Sequence, residues 1–221
     1  MMMKKVGTAL HEAIGYVLRA VFRILILLVF RPKRVFASEE ARKNFPKGPC
    51  VFACNHVQAL DGAVIETMLP TRRVWGLTAK DLLEKSVGLR LLMSFCRGIP
   101  IDREHFSMAW LRAARGKLKA GDDILICPEG KCQEDRVIHP FKPGFALLAA
   151  SAGVPVVPVF HNGRFEPLIG RRFQMMIGEP IIMTPPPEGL NEQELNREAL
   201  VVENVIREMQ RRMENRAEQE K

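Results

Sequence analysis

The chain has 221 residues, 47% hydrophobic and 26% charged, with a formal net charge of +8. That length buries a core without help, and the balance excludes a disordered chain, collagen and a polytopic membrane protein. The surplus charge is uneven: residues 1–34 hold seven basic groups and one acidic, while the stretch from Gly189 onward holds six basic and eight acidic. A basic leading segment suits an anionic partner, either nucleic acid or a membrane surface.

Residues 4–30 read as one amphipathic helix. Leu10, Ile14, Val17, Leu18, Val21, Leu25 and Leu28 recur at helical spacing, with Thr8, Glu12, Gly15, Arg19 and Arg23 on the other side. Arg31-Pro32-Lys33-Arg34 stops it. A cleaved signal peptide needs a small-residue site after its apolar run, and a basic cluster stands there instead. A spanning helix needs about 20 mostly apolar residues. Residues 13–30 approach that but contain Arg19 and Arg23, each costing about 2.5–3.5 kcal/mol near the bilayer centre. A helix packed on its own domain is the third alternative. We adopt an interfacial helix over residues 1–34, with the apolar stripe among acyl chains and the arginines at the headgroups.

Lys47-Gly48-Pro49 is a turn, and residues 50–54 are a short apolar run ending at Asn55-His56, a buried strand. Further along, helical patterns cover 61–69, 81–95, 107–119, 144–152 and 191–216. Strands are expected at 74–78, 98–101, 123–127, 154–159 and 173–177, and Pro185-Pro186-Pro187 is a linker. This alternation predicts an α/β fold, a mixed and partly parallel sheet flanked by helices, in one domain over residues 35–221.

The five cysteines, Cys50, Cys54, Cys96, Cys127 and Cys132, are odd in number and lack C-x-x-C spacing. A reducing compartment fits better than a disulfide framework. A zinc set of Cys50, Cys54, Cys127 and Cys132 has unusual spacing, and small core hydrophobes are the simpler reading.

Four short blocks carry chemistry. In the first, His56 leaves a strand and Asp61 follows five residues later. The carboxylate can accept the imidazole Nδ1–H and leave Nε2 as a base; equally, Asp61 can cap the next helix. In the second, residues 98–103, Arg103 at a strand end can fork onto a phosphate or pair with Asp102 on the surface. The third, Cys127-Pro128-Glu129-Gly130-Lys131, is a strand entering a tight turn with an acid and a base at its lip. The fourth, residues 154–159, carries Pro155 and Pro158, which suggests an edge strand.

In this order and spacing the blocks resemble the glycerolipid acyltransferase family, most nearly its 1-acylglycerol-3-phosphate acyltransferases. Phe141-Lys142-Pro143-Gly144 adds to the likeness, which spans residues 48–180 or so. Two positions depart from the family pattern. Gln58 stands where the first block commonly has serine, and the third block commonly reads Glu-Gly-Thr-Arg whereas Lys131 follows Gly130 here with no arginine next.

The resemblance implies transfer of a fatty acyl group from acyl-CoA or acyl carrier protein to the sn-2 hydroxyl of lysophosphatidic acid. His56 would be the base and Asp61 its partner. Arg103 and Lys131, with Glu129 and Gly130, would hold the acceptor phosphate or its glycerol. No metal or other cofactor is called for. The enzyme would sit at the cytoplasmic face of the membrane, where acceptor and product reside. Basic residues are not interleaved with aromatic stacking platforms, which argues against nucleic acid as the partner.

Overall fold

The computed structural model of the chain describes residues 2–58, 60–69, 73–81, 97–102, 107–133, 135–164, 166–170, 172–183 and 191–219, those before residue 13 by backbone alone. The expected helix over 81–95 falls almost wholly outside the described residues, and the 185–187 linker and Cys96 lie entirely outside them.

Strand β1 (Lys33–Phe36) follows the long helix α1 (Met2–Phe30), and a short α2 (Glu39–Lys43) comes next. Then follow β2 (Val51–Cys54), α3 (Asp61–Met68), β3 (Val74–Ala79), β4 (Gly98–Ile101), α4 (Met108–Lys119) and β5 (Asp123–Ile126). The chain continues through α5 (Gly144–Ala152), β6 (Pro155–His161), β7 (Gln174–Ile177), β8 (Ile181–Ile182) and α6 (Glu192–Gln219). The strands form one sheet in the order β1-β7-β6-β2-β5-β3-β4, with β8 also on β6. β2 is parallel to β5 and β6, β3 is parallel to β4 and β5, and β1 is parallel to β7, while β7 and β8 run antiparallel to β6. The fold is therefore α/β with a mixed, mostly parallel sheet.

Both faces are covered, as parallel sheets require. Val51, Ala53, Ile124, Ile126 and Val156 pack with Leu111, Phe145, Val202 and Ile206 on the face of α4, α5 and α6. Cys50, Phe52, Cys54, Leu125, Val157 and Val159 alternate to the other face, against Val64 and Ile65 of α3 and Ile26 of α1. The period-two alternation of one short apolar run thus feeds two cores.

The fourth block is not an edge strand. β6 lies inside the sheet, with β2 along one side and β8 and β7 sharing the other. The prolines are tolerated because that second side changes partner between them. β8 pairs at Pro155 and Val156, and β7 takes over at Val159. Pro158, which has no N–H to give, contributes only its carbonyl, accepting from Gly178 N–H at 2.8 Å.

Helix α1 ends as expected: Phe30 is its last residue, Arg31 turns the chain at φ 44°, and β1 begins at Lys33. Ile26 is buried in the core on the α3 side, but Tyr16, Val17, Val21, Ile24, Leu25 and Leu28 are exposed. Ala13–Phe30 is long and apolar enough to cross a membrane, and 11% of it is buried. A helix so little covered by its own protein suits membrane association.

Candidate active site

The parallel strands β2, β5 and β6 all end at the same edge, where ligands of open α/β sheets bind. His56 leaves β2 there, with its side chain partly open to solvent. Its Nδ1 lies 3.1 Å from Asp61 Oδ2. The same oxygen accepts the backbone N–H groups of Val57 at 2.5 Å and Gln58 at 2.7 Å. Asp61 is fully buried, and its Oδ1 has no hydrogen-bond partner among the described residues.

The competing role for Asp61, a helix cap, does not occur. The cap position of α3 is Leu60, and no side chain bonds the helix N-terminus. Asp61 instead reaches backwards to the loop that carries His56. Because Oδ2 accepts at His56, Nδ1 donates, and Nε2 is the nitrogen turned away from the carboxylate.

The loop of the third block and the two residues after it hold the histidine's backbone from both sides. His56 N–H donates to Glu129 Oε1 at 2.9 Å, and His56 carbonyl accepts from Gln133 N–H at 2.6 Å. Glu129 Oε2 accepts from His139 N–H at 3.1 Å. The buried Glu129 carboxylate thus joins two loops by their backbones. Burial raises its pKa, with the bonds from His139 and His56 pulling the other way.

Gly130 sits at φ 78°, a left-handed turn that glycine takes without strain. A β-carbon there would lie 3.2 Å from Lys142 Nζ, so the turn and the Lys142 amine are close neighbours. Lys131 is exposed on the same turn. Arg103 lies outside the described residues, just beyond the end of β4.

Sequence reasoning missed several members of this site. Asn55 and His161 lock the ends of β2 and β6 together. Asn55 donates to His161 carbonyl at 3.0 Å and accepts from His161 N–H at 2.9 Å, and the His161 ring donates from Nε2 to Asn55 carbonyl at 2.8 Å. His161 Nε2 also stands 3.4 Å from Asp61 Oδ2, behind the dyad. Adjacency to His56 and to the Val-Pro strand was the available signal.

The cysteines divide. Cys50 bonds Asp123 at the start of β2, apart from the site, so the four weighed as a zinc set are not brought to one point. Cys54 and Cys127 Sγ atoms meet at 3.3 Å. Cys132 is exposed, not a core residue, and its Sγ lies 3.3 Å from His56 Nε2.

These thiols set the site's electrostatics. The Cys54 hydrogen bond lowers Cys127 to about 5, against burial and with help from His56. Cys54 is pushed up by the same bond and by burial. Burial pulls His56 down, but negative charge at Cys127, hydrogen bonds with Asp61 and Cys127, and charge at Cys132 outweigh it and hold the imidazolium up to about 11.

A strand-end histidine beside a buried carboxylate, with Nε2 turned away from it, is an arrangement that can serve general-base chemistry. Comparison with known proteins gives the family. Residues 37–162, more than half of the chain, match the family model described as Acyltransferase, and the chain belongs to that family.

Among its relatives, the human 1-acyl-sn-glycerol-3-phosphate acyltransferase beta is 30% identical over 67% of this chain and 51% of its own length. The chloroplastic 1-acyl-sn-glycerol-3-phosphate acyltransferase BAT2 of Brassica napus is 30% identical over 53% of this chain and 34% of its own. The chain therefore spans between a third and about half the length of these two relatives. The fold is similar to the crystal structure of the 1-acyl-sn-glycerophosphate (LPA) acyltransferase PlsC from Thermotoga maritima, with a TM-score of 0.60 over 90% of this chain and 82% of that one at 22% identity.

Proposed function

We propose that the protein is an O-acyltransferase that moves a fatty acyl group from an acyl thioester to the sn-2 hydroxyl of lysophosphatidic acid, giving phosphatidic acid. The observation that carries this is the His56–Asp61 pair at 3.1 Å, with Nε2 facing outward from the ends of parallel strands. Neutral His56 takes the hydroxyl proton as the oxygen attacks a thioester carbonyl. Asp61 then stabilises the imidazolium that forms. Arg103 and Lys131 meet the acceptor phosphate. Gly130 allows the turn that presents Lys131, and Glu129 fixes that turn against the His56 loop.

The acyl tail has a matching surface. An apolar cleft of about 120 Å³ is lined by Phe22, Leu25, Ile26 and Phe30 of α1 with Leu60 and Val64. Leu60 directly precedes Asp61, so the cleft begins beside the dyad. Residues 1–34 act as the membrane segment, lying in the cytoplasmic interface, and residues 35–221 as the catalytic domain. A loop adds to that surface: Leu168 and Ile169 are 65% and 90% exposed, and Leu168 N–H bonds Val29 carbonyl at 2.8 Å. Arg31 reaches Gly170 carbonyl at 3.1 Å from the same helix end. An apolar loop tip tied to an apolar helix fits one membrane-facing surface.

The same chemistry on a different lysolipid is the second reading. It is favoured by Cys132, which stands where the family's third block commonly has an arginine. Incubating the purified chain with lysophosphatidic acid, other lysophospholipids and both acyl-CoA and acyl carrier protein donors separates the readings by product mass. Phosphatidic acid as the main product supports the first; acylation of a different lysolipid alone supports the second.

A further inference from the structure

We propose that Cys132 is a catalytic nucleophile that carries the acyl group as a thioester between donor and acceptor. The proposal rests on the acyltransferase reading above and deepens it. A chain of contacts carries it: Cys132 Sγ is 3.3 Å from His56 Nε2, and His56 Nδ1 is 3.1 Å from the buried Asp61 carboxylate. Thiol, base and orienting acid thus stand in the order of a nucleophilic triad.

Position agrees with this role. Cys54 is buried and Cys127 is paired with it, but Cys132 is exposed at the open side of the histidine. Its placement is also enforced. The residue after it, Gln133, donates its backbone N–H to His56 carbonyl at 2.6 Å, and Glu129 three residues before it accepts His56 N–H. The loop cannot drift from the imidazole without breaking both bonds.

The chemistry balances without any further reactant. When His56 is neutral, Cys132 gives its proton to Nε2, and the thiolate attacks the carbonyl of the acyl thioester. A new carbon–sulfur bond forms to Cys132 while the bond to the donor sulfur breaks, and the departing thiolate takes the proton from Nε2. In the second half the lysolipid hydroxyl gives its proton to Nε2, its oxygen attacks the Cys132 thioester, and Cys132 leaves and recovers the proton. The first half exchanges one thioester for another of like energy. The second makes an oxygen ester, as in the direct reaction.

The test uses the full chain with palmitoyl-CoA or palmitoyl-acyl carrier protein and no lysolipid. After an acid quench, the protein should be heavier by one palmitoyl group. The group should be released by neutral hydroxylamine and map to the Cys132 peptide. Labelled coenzyme A should exchange into palmitoyl-CoA without an acceptor. Both signals should vanish in Cys132→Ala, whose fold is checked by circular dichroism. Cys132→Ser should acquire, slowly, an ester that neutral hydroxylamine does not release. Acylation of lysophosphatidic acid by a chain showing neither adduct nor exchange would overturn Cys132 as carrier and leave the acyltransferase reading intact. An adduct or exchange that persists in Cys132→Ala would also overturn it. An adduct at Cys132 with no lysolipid product would support the carrier and refute the acceptor reading. Absence of adduct, exchange and product together would refute both.

Discussion

Replacing Asp61 by Asn separates two jobs of the carboxylate, charge and orientation. Oδ2 accepts from His56, Val57 and Gln58, whereas Oδ1 has no hydrogen-bond partner among the described residues. An asparagine therefore has one satisfactory orientation. Its oxygen takes the place of Oδ2, held by the two backbone N–H groups, and its NH2 takes the place of Oδ1. The His56 tautomer is kept and only the charge is lost. A hydrogen bond to a charged group contributes about 1.5–3 kcal/mol and a neutral one about 0.5–1.5. The difference, about 1–1.5 kcal/mol, is about 5- to 15-fold in rate and about one unit in pKa. On the alkaline plateau of the pH profile, Asp61→Asn should lower kcat/KM for lysophosphatidic acid by about that factor. The rising limb should move about one unit toward acid. Asp61→Ala should do worse and melt earlier, because it strips the acceptor from two backbone donors at about 1–3 kcal/mol each. A loss in Asp61→Asn as large as that of His56→Ala, with an unchanged melting temperature, would refute the reasoning by showing that the tautomer is not held.

The activity itself should rise with pH through the neutral range, because His56 is raised to about 11 and only its neutral form is a base. Cys127→Ser removes the charge that raises His56 most and should shift that limb toward acid; an unmoved limb would mean Cys127 carries no charge. The same raised pKa contributes stability that is fully present below the histidine's ordinary value of 6.5 and is lost as pH rises through about 11. Glu129→Gln sets an NH2 group against one of two backbone N–H groups, so melting temperature and kcat should fall together; a drop in kcat alone would give Glu129 a direct part in the chemistry. Val21→Glu with Leu28→Glu, both exposed on α1, should weaken sedimentation with anionic liposomes while leaving the Ile26 contact in place; undiminished sedimentation would put the membrane surface elsewhere. Arg103→Ala should lower kcat/KM for lysophosphatidic acid about 10- to 150-fold and for an uncharged monoacylglycerol much less, and an equal loss would make Arg103 structural.

Much of the sheet was readable because its central strands are continuous apolar runs buried on both faces, as in residues 50–54 and 124–127. The outer pieces were not. β1 begins with Lys33-Arg34 at the sheet edge, where exposed charges are tolerated, and α2 is a single capped turn made by Ser38 bonding Ala41 N–H. β8 is two residues long. The prolines of β6 pointed to an edge because the change of partner opposite Pro158 is a tertiary fact, set by where β7 and β8 end.

Within the site, the His56–Asp61 spacing was legible and the use of Asp61 was not. Only the fold shows the carboxylate turned back to the His56 loop rather than forward to its helix. Asn55 and His161 are single polar residues at strand ends, 106 positions apart, and no local pattern links them. In the sequence Cys132 stood as a member of a zinc set with unusual spacing, as a small core hydrophobe, and as the place where an arginine was missing. Its distance from Nε2 depends on two hydrogen bonds to the His56 backbone, one from Gln133 N–H and one to the Glu129 carboxylate, between segments far apart in sequence.

The most direct measurement is product formation from lysophosphatidic acid and a palmitoyl thioester, with the unaltered chain and His56→Ala side by side. We expect phosphatidic acid from the first. His56→Ala should be slower by about 10²–10⁴-fold, the usual cost of losing a general base, with an unchanged circular dichroism spectrum. Equal turnover by the two proteins would contradict the account.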